Sequence, residues 1–118
     1  VDTMSPGEAA VLGFLDRGGP LTTADLAHRR GVTHQSAAKS VKALIGDGLV
    51  RAEPHPGDGR KTLLHITGAG RTRLRHERDQ RAHALDAAIR DLFSPEERQQ
   101  LRDCTALLSR LTAHLAGR

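Results

Sequence analysis

Thr22-Thr23-Ala24-Asp25-Leu26-Ala27, Gly31-Val32-Thr33-His34-Gln35, Lys42-Ala43-Leu44-Ile45, Gly48-Leu49-Val50 and Asp58-Gly59-Arg60-Lys61 are the pieces of residues 22–67 whose reading decides the fold. Thr22 is a helix cap, and the helix behind it should bury Leu26 and Ala27. Gly31 follows Ala27 after three residues. A small residue lets two helices cross closely, and glycine takes the left-handed conformation that ends the first of them. Thr33 caps a second helix expected to run to about Asp47, with Ala37, Val41, Leu44 and Ile45 facing inward. Gly48 stops it. Val50–Glu53 and Leu63–Ile66 read as short strands joined through the turn-rich His55-Pro56-Gly57-Asp58-Gly59. A short helix, a glycine turn, a second helix and a basic hairpin have the geometry to seat one helix in a DNA groove with a loop beside it.

The outward face of the second helix carries His34, Gln35, Ala38, Lys39 and Lys42, with Ser36 and Ser40 on its flanks. No acidic residue interrupts it before Asp47. An ordinary solvated helix mixes both signs, so a cationic face in this position points to a polyanion.

Upstream, Ser5-Pro6-Gly7-Glu8 reads as a helix start, with Ser5 as cap, Pro6 at the first helical position and Glu8 closing a capping box. That helix turns Val11, Leu12 and Leu15 inward and stops at Gly18-Gly19-Pro20. Downstream, Thr67 caps a long helix from about Gly68 to Leu92, and Ser94-Pro95-Glu96-Glu97 repeats the capping-box logic for a last helix reaching about His114. No internal repeat or low-complexity segment is evident. The fold expected is mostly α with a small β-hairpin wing: a winged helix-turn-helix lobe over residues 5–67, then a linker helix and a C-terminal dimerisation helix over 68–118.

Bulk composition agrees. A chain of 118 residues supports one compact domain, or one domain with an extended helical arm. Phe14 and Phe93 are the only aromatics, so the core must come from Leu, Ala, Val and Ile, which favours helix-on-helix packing. Lys plus Arg exceed Asp plus Glu by 18 − 14 = 4. Together with a pI near 10.2 this suits a polyanionic partner. Cys104 is the only cysteine, which excludes an intrachain disulfide and favours a cytoplasmic location. No apolar run approaches 18 residues and no signal-peptide pattern is present, so neither a membrane span nor secretion is expected. The preference for Arg over Lys, fifteen against three, suggests a GC-rich genome.

Gly48-Leu49-Val50-Arg51, followed by Asp58-Gly59-Arg60 and Leu64-His65-Ile66-Thr67, resembles the wing pattern of the MarR family of bacterial transcriptional regulators, which are winged helix-turn-helix dimers. The likeness extends from about Ser5 to Leu115. It implies that residues 34–46 form the recognition helix and that Arg60 acts at the wing, reaching a minor groove or its phosphates. Asp58 would orient that arginine, or the loop, by a charge-assisted hydrogen bond, or merely pair with it to stiffen the hairpin. Gln35 can pair bidentately with adenine, and Ser36 can contact a base or a phosphate. Thr33, Lys39, Lys42, Arg51 and Lys61 are better placed for phosphates, with His34 and Ser40 completing the DNA-binding set. In the family a further helix precedes the first one seen here, whereas only Val1–Met4 stand before Ser5. Either an N-terminus is missing or dimerisation runs mainly through the C-terminal helices.

Those helices carry the required stripe. Leu101, Cys104, Leu108, Leu111 and Leu115 are spaced three, four, three, four, and Leu85, Ile89 and Leu92 continue the pattern on the preceding helix. One short helical hairpin cannot bury both stripes, so a homodimer is expected, and with it a pseudo-palindromic operator. Arg71, Arg73, Arg75, Arg78 and Arg81 read as a solvated arm partly neutralised by Glu77 and Asp79, with Arg71 offering an auxiliary phosphate contact.

Family members commonly answer to small anionic or aromatic ligands bound between the DNA-binding lobe and the dimer helices, and some sense metals or oxidants. A ligand-responsive repressor with a small-molecule effector is therefore implied, without an identity for the ligand. His76 and His83 lie seven residues apart, too far to share an ion on a straight helix, and no Cys-x-x-Cys occurs, so no metal or cofactor is expected. Cys104 on an apolar seam reads as a small core residue. Enzyme signatures fail: His76-Glu77-Arg78-Asp79-Gln80 lacks the second His of a zinc-protease helix, and Gly68-Ala69-Gly70 is followed by Arg73 where a dinucleotide loop needs glycine. The rival is a winged-helix protein-interaction module without specific DNA binding.

Overall fold

Ser5 opens helix α1 (Pro6–Gly18), its hydroxyl accepting the Glu8 amide at 3.2 Å. The expected capping box is not closed. The Glu8 carboxylate instead accepts a hydrogen bond from the Ser5 hydroxyl at 2.8 Å, because one hydroxyl can both donate and accept. The computed structural model describes residues 4–117. Apart from Met4, the segment ahead of Ser5, where the family has its extra helix, lies outside the described residues.

Helix α2 (Thr23–Arg30) begins in a full capping box: the Asp25 amide donates to the Thr22 hydroxyl and the Thr22 amide to the Asp25 carboxylate. That backbone donor holds the Asp25 carboxyl below its ordinary pKa. Gly31 ends the helix at φ 68°, the left-handed conformation that its position predicted. Helix α3 (His34–Gly46) starts at Thr33, whose hydroxyl accepts the Ser36 amide at 3.1 Å. Ala37, Val41 and Leu44 are buried as expected, but Ile45 is 41% exposed. It stands about 100° around the helix from Leu44, in the last turn and beyond the edge of the inward stripe.

Strands β1 (Val50–Pro54) and β2 (Thr62–Ile66) pair antiparallel, Val50 opposite Ile66 and Pro54 opposite Thr62, each one residue longer than its pattern suggested. Leu21 adds a single-residue bridge to Leu64, its amide and carbonyl both engaged. The alternation turns Val50, Leu64 and Ile66 into the core, where they meet Val11, Leu12, Leu15, Leu21, Leu26, Val41, Leu44 and Leu74. These side chains are all aliphatic, and Phe14 only packs against their edge.

Helix α4 (Gly68–Leu92) starts from Thr67. The Thr67 hydroxyl accepts the Gly70 amide at 3.0 Å and donates to the Gly48 carbonyl at 2.8 Å, tying the end of α3 to the start of α4. The Thr67 amide donates to the Leu49 carbonyl. Gly70 passes so close to this segment that a Cβ on it would stand 2.2 Å from the Leu49 carbonyl oxygen.

The arginine run is solvent-exposed apart from Arg73, and it is neutralised by Glu77 and, across helices, by Asp16. Glu77 is buried, accepting from Arg73 Nε at 3.2 Å and from the Met4 amide at 3.3 Å. Arg71 and Arg78 both turn to Asp16 of α1, at 3.9 and 3.8 Å. Interhelical pairing of this kind leaves no trace in a one-dimensional charge pattern.

The chain divides into two compact units, one ending at Asp79 and one beginning at Gln80. In the second, helix α5 (Pro95–Ala116) opens with the Ser94–Glu97 capping box that the sequence indicated. None of its residues is buried. Among the described residues, five helices and a two-stranded hairpin thus give the winged helix-turn-helix fold with C-terminal helices. Among the described residues no helix is long and apolar enough to cross a membrane.

Candidate nucleic-acid interface

The α3 surface is built by periodicity. With Ala37, Val41 and Leu44 buried, residues on the far side of the helix must face solvent. Thr33, Gln35, Ser36, Ala38, Lys39 and Lys42 line one shallow depression there. The first turn of α3 holds no acidic residue, so the positive end of the helix dipole and both lysines act on the same surface. Two other residues read from the sequence sit differently. His34 is exposed but about 100° around from Gln35, outside the depression. Ser40 is half-buried, its hydroxyl 3.0 Å from where a Cβ on Gly7 of α1 would stand.

The wing loop is held by its own backbone. The His55 amide donates to the Lys61 carbonyl, and the Lys61 amide to the Asp58 carbonyl, both at 3.0 Å. Asp58 then accepts three hydrogen bonds from one residue: the Arg60 amide at 3.0 Å, its Nε at 3.2 Å and its Nη2 at 3.3 Å. The Arg60 side chain nevertheless remains 91% exposed, against 28% for Asp58. A guanidinium projecting from the loop is therefore held in one orientation by a carboxylate behind it. Arg60, through its side chain and then its backbone, keeps the Asp58 carboxyl below its ordinary pKa. A group whose pKa is lowered on folding contributes above its unfolded value and loses that contribution as pH falls through the folded one. The Arg60 amide resonance should accordingly titrate below the normal aspartate range. A midpoint at or above that range would mean the clasp does not persist in solution.

Two residues of this surface escaped the sequence reading. Glu53 and His65 join Arg51 on the outer face of the hairpin, because Arg51 stands opposite His65 in the register. The Glu53 carboxylate bonds the His65 imidazole and accepts from Arg51 Nη1 at 3.2 Å. Those two bonds, His65 first, lower the Glu53 pKa. Arg51 is thus engaged by a carboxylate rather than standing free. Alternation alone places Arg51 and Glu53 on one face, but only the strand register brings His65 to them.

Among the described residues no group of three or more His, Cys, Asp and Glu side chains is gathered to hold a metal ion. Leu85, Leu92, Leu101, Leu108, Leu111 and Leu115 are exposed, as is Cys104, while Ile89 is half-buried.

Comparison with known proteins agrees with this architecture. Residues 2–61 match the MarR family model. An uncharacterized HTH-type transcriptional regulator of Mycobacterium leprae is 30% identical over 108 residues, covering 92% of this chain and 75% of that protein. YusO from Bacillus subtilis superposes with a TM-score of 0.77 at 23% identity, over 91% of this chain and 75% of YusO. A probable transcriptional regulator from Pseudomonas aeruginosa gives 0.69 at 27% identity, over 93% of this chain and 80% of that one. With its helix-turn-helix, its wing and these likenesses taken together, the chain belongs to the MarR family of transcriptional regulators.

Proposed function

We propose that this regulator acts as a homodimer on a pseudo-palindromic duplex operator, with α3 of each protomer in a major groove and the wing loop at a neighbouring minor groove. The carboxylate-free depression on α3 carries the reading. Gln35 and Ser36 are assigned to base edges, and Thr33, Lys39, Lys42 and Lys61 to phosphates. Arg51 reaches a phosphate only by leaving Glu53, so its contribution is smaller. Arg60, with Asp58 behind it, suits a narrow minor groove whose negative potential draws in a guanidinium without base-specific hydrogen bonds. His34 and Ser40 stand at the margins.

Dimerisation is supported by unit two itself: α5 buries none of its residues, yet carries leucines at three- and four-residue spacing. Two-fold symmetry then sets half-sites about 34–36 Å apart. In this reading the bound dimer represses by occupying its operator, and a small ligand shifts that occupancy.

Binding to a duplex from the chain's own promoter, measured by fluorescence anisotropy across a salt series, tests the assignment. Lys39→Ala should weaken binding to all sequences and reduce the salt slope by about 1. Gln35→Ala should relax preference at one base position, at about 1–3 kcal/mol. Equal, weak binding by the wild type and both variants would instead mark a protein-interaction module.

A further inference from the structure

Where α4 ends and α5 begins, Asp86, Ile89, Arg90, Pro95, Arg98 and Arg102 surround a hollow of about 350 Å³. Three guanidiniums and one carboxylate leave it with a formal excess of 3 − 1 = 2 positive charges. We infer that this hollow is a binding site for a small doubly charged oxyanion, inorganic phosphate or a dicarboxylate in chemical class. The site lies wholly in the second unit and does not depend on the DNA reading.

Several features of the arrangement are unfavourable without an anion. Arg98 and Arg102 are an i, i+4 pair of like charge on α5, which destabilises a helix. Arg98 also stands near the helix N-terminus, the positive end of the dipole, where a cation is disfavoured and an anion favoured. Glu96 and Glu97 share that turn, but neither lines the hollow, and Glu97 is committed to the Ser94 amide. Asp86 and Arg90 stand at i, i+4 on α4 without forming an ion pair. Neither the Arg90 nor the Arg98 guanidinium has a hydrogen-bond or ion-pair partner among the described residues, although Arg98 is half-buried.

Arg102, by contrast, is already positioned. Its Nε and Nη2 both donate to Gln99 Oε1, at 3.3 and 2.8 Å, and the Gln99 amide donates onward to Asp103 at 2.9 Å. This chain fixes the plane of the guanidinium and leaves Nη1 for a ligand. Arginine forks of this kind suit the planar or tetrahedral oxygens of a carboxylate or phosphate.

Isothermal titration of the full chain with sodium phosphate and, separately, sodium succinate, each against chloride at matched ionic strength, tests the site. One saturable site per chain is expected in at least one arm, and the arm that binds tells phosphoryl from dicarboxylate chemistry. Arg98→Gln should weaken it at least about tenfold, the loss of one charge-assisted hydrogen-bond donor. Arg110→Gln, a charge loss outside the hollow, should leave it unchanged. No saturable binding in either arm would overturn the proposal. So would equal weakening by the two substitutions, which marks a diffuse charge effect.

Discussion

Replacing Leu108 and Leu111 together by Glu is expected to leave a monomer whose operator affinity falls by at least about 10²-fold, the scale lost when two linked half-site contacts become one. Both side chains are more than half exposed in the single chain, as are Leu107 and Leu115. Full burial of a leucine contributes about 1.5–3 kcal/mol, so a two-fold interface that covers this seam from both sides has a large apolar driving force. Two carboxylates per chain would have to be desolvated opposite their own symmetry mates, which no apolar neighbour can offset. Sedimentation equilibrium would show the change in mass, and anisotropy the loss of affinity. Ala106→Glu is the matched control, since it lies across α5 from the seam. If the double variant stayed dimeric with wild-type affinity, the interface would have to lie elsewhere.

Gly70→Ala should destabilise the DNA-binding lobe by about 3 kcal/mol, the upper range for overpacking a tight core. The added methyl would stand 2.2 Å from the Leu49 carbonyl oxygen and 2.7 Å from Ile66 Cγ1. The first of these is backbone and cannot rotate away. That carbonyl already accepts the Thr67 amide, and Thr67 in turn holds Gly48 and Gly70, so the start of α4 cannot lift without breaking the link to the end of α3. Gly68→Ala, with nothing within 4 Å of the new Cβ, should be neutral or slightly stabilising. Urea unfolding of both variants would separate the cases, and equal stability would mean that the helix adjusts freely.

The same glycine shows where reading the sequence stops. Gly68-Ala69-Gly70 was legible as a helix start and as an incomplete dinucleotide loop, but nothing local says that Leu49 lies beneath it. Thr22, Thr33 and Ser94 were recognised as caps because their bonds close within three residues. Most of the candidate site was legible for a similar reason. The outward face of α3 follows from the position of Ala37, Val41 and Leu44, and the Asp58–Arg60 clasp spans two residues. Glu53 with His65, Glu77 in the interior and Ser40 against α1 were not legible, since each depends on a neighbour from another element.

Residue order alone determined the succession of helices and strands, their caps, the cationic face of α3 and the apolar stripe along α5. These rest on interactions that close within a helical turn or on periodicities of 3.6 and 2. Only the tertiary structure decided that Leu21 joins β2, that Glu53 restrains Arg51, that Asp16 gathers two arginines and that three others surround one hollow. Such contacts depend on strand register and helix crossing, which packing sets between segments far apart in the chain.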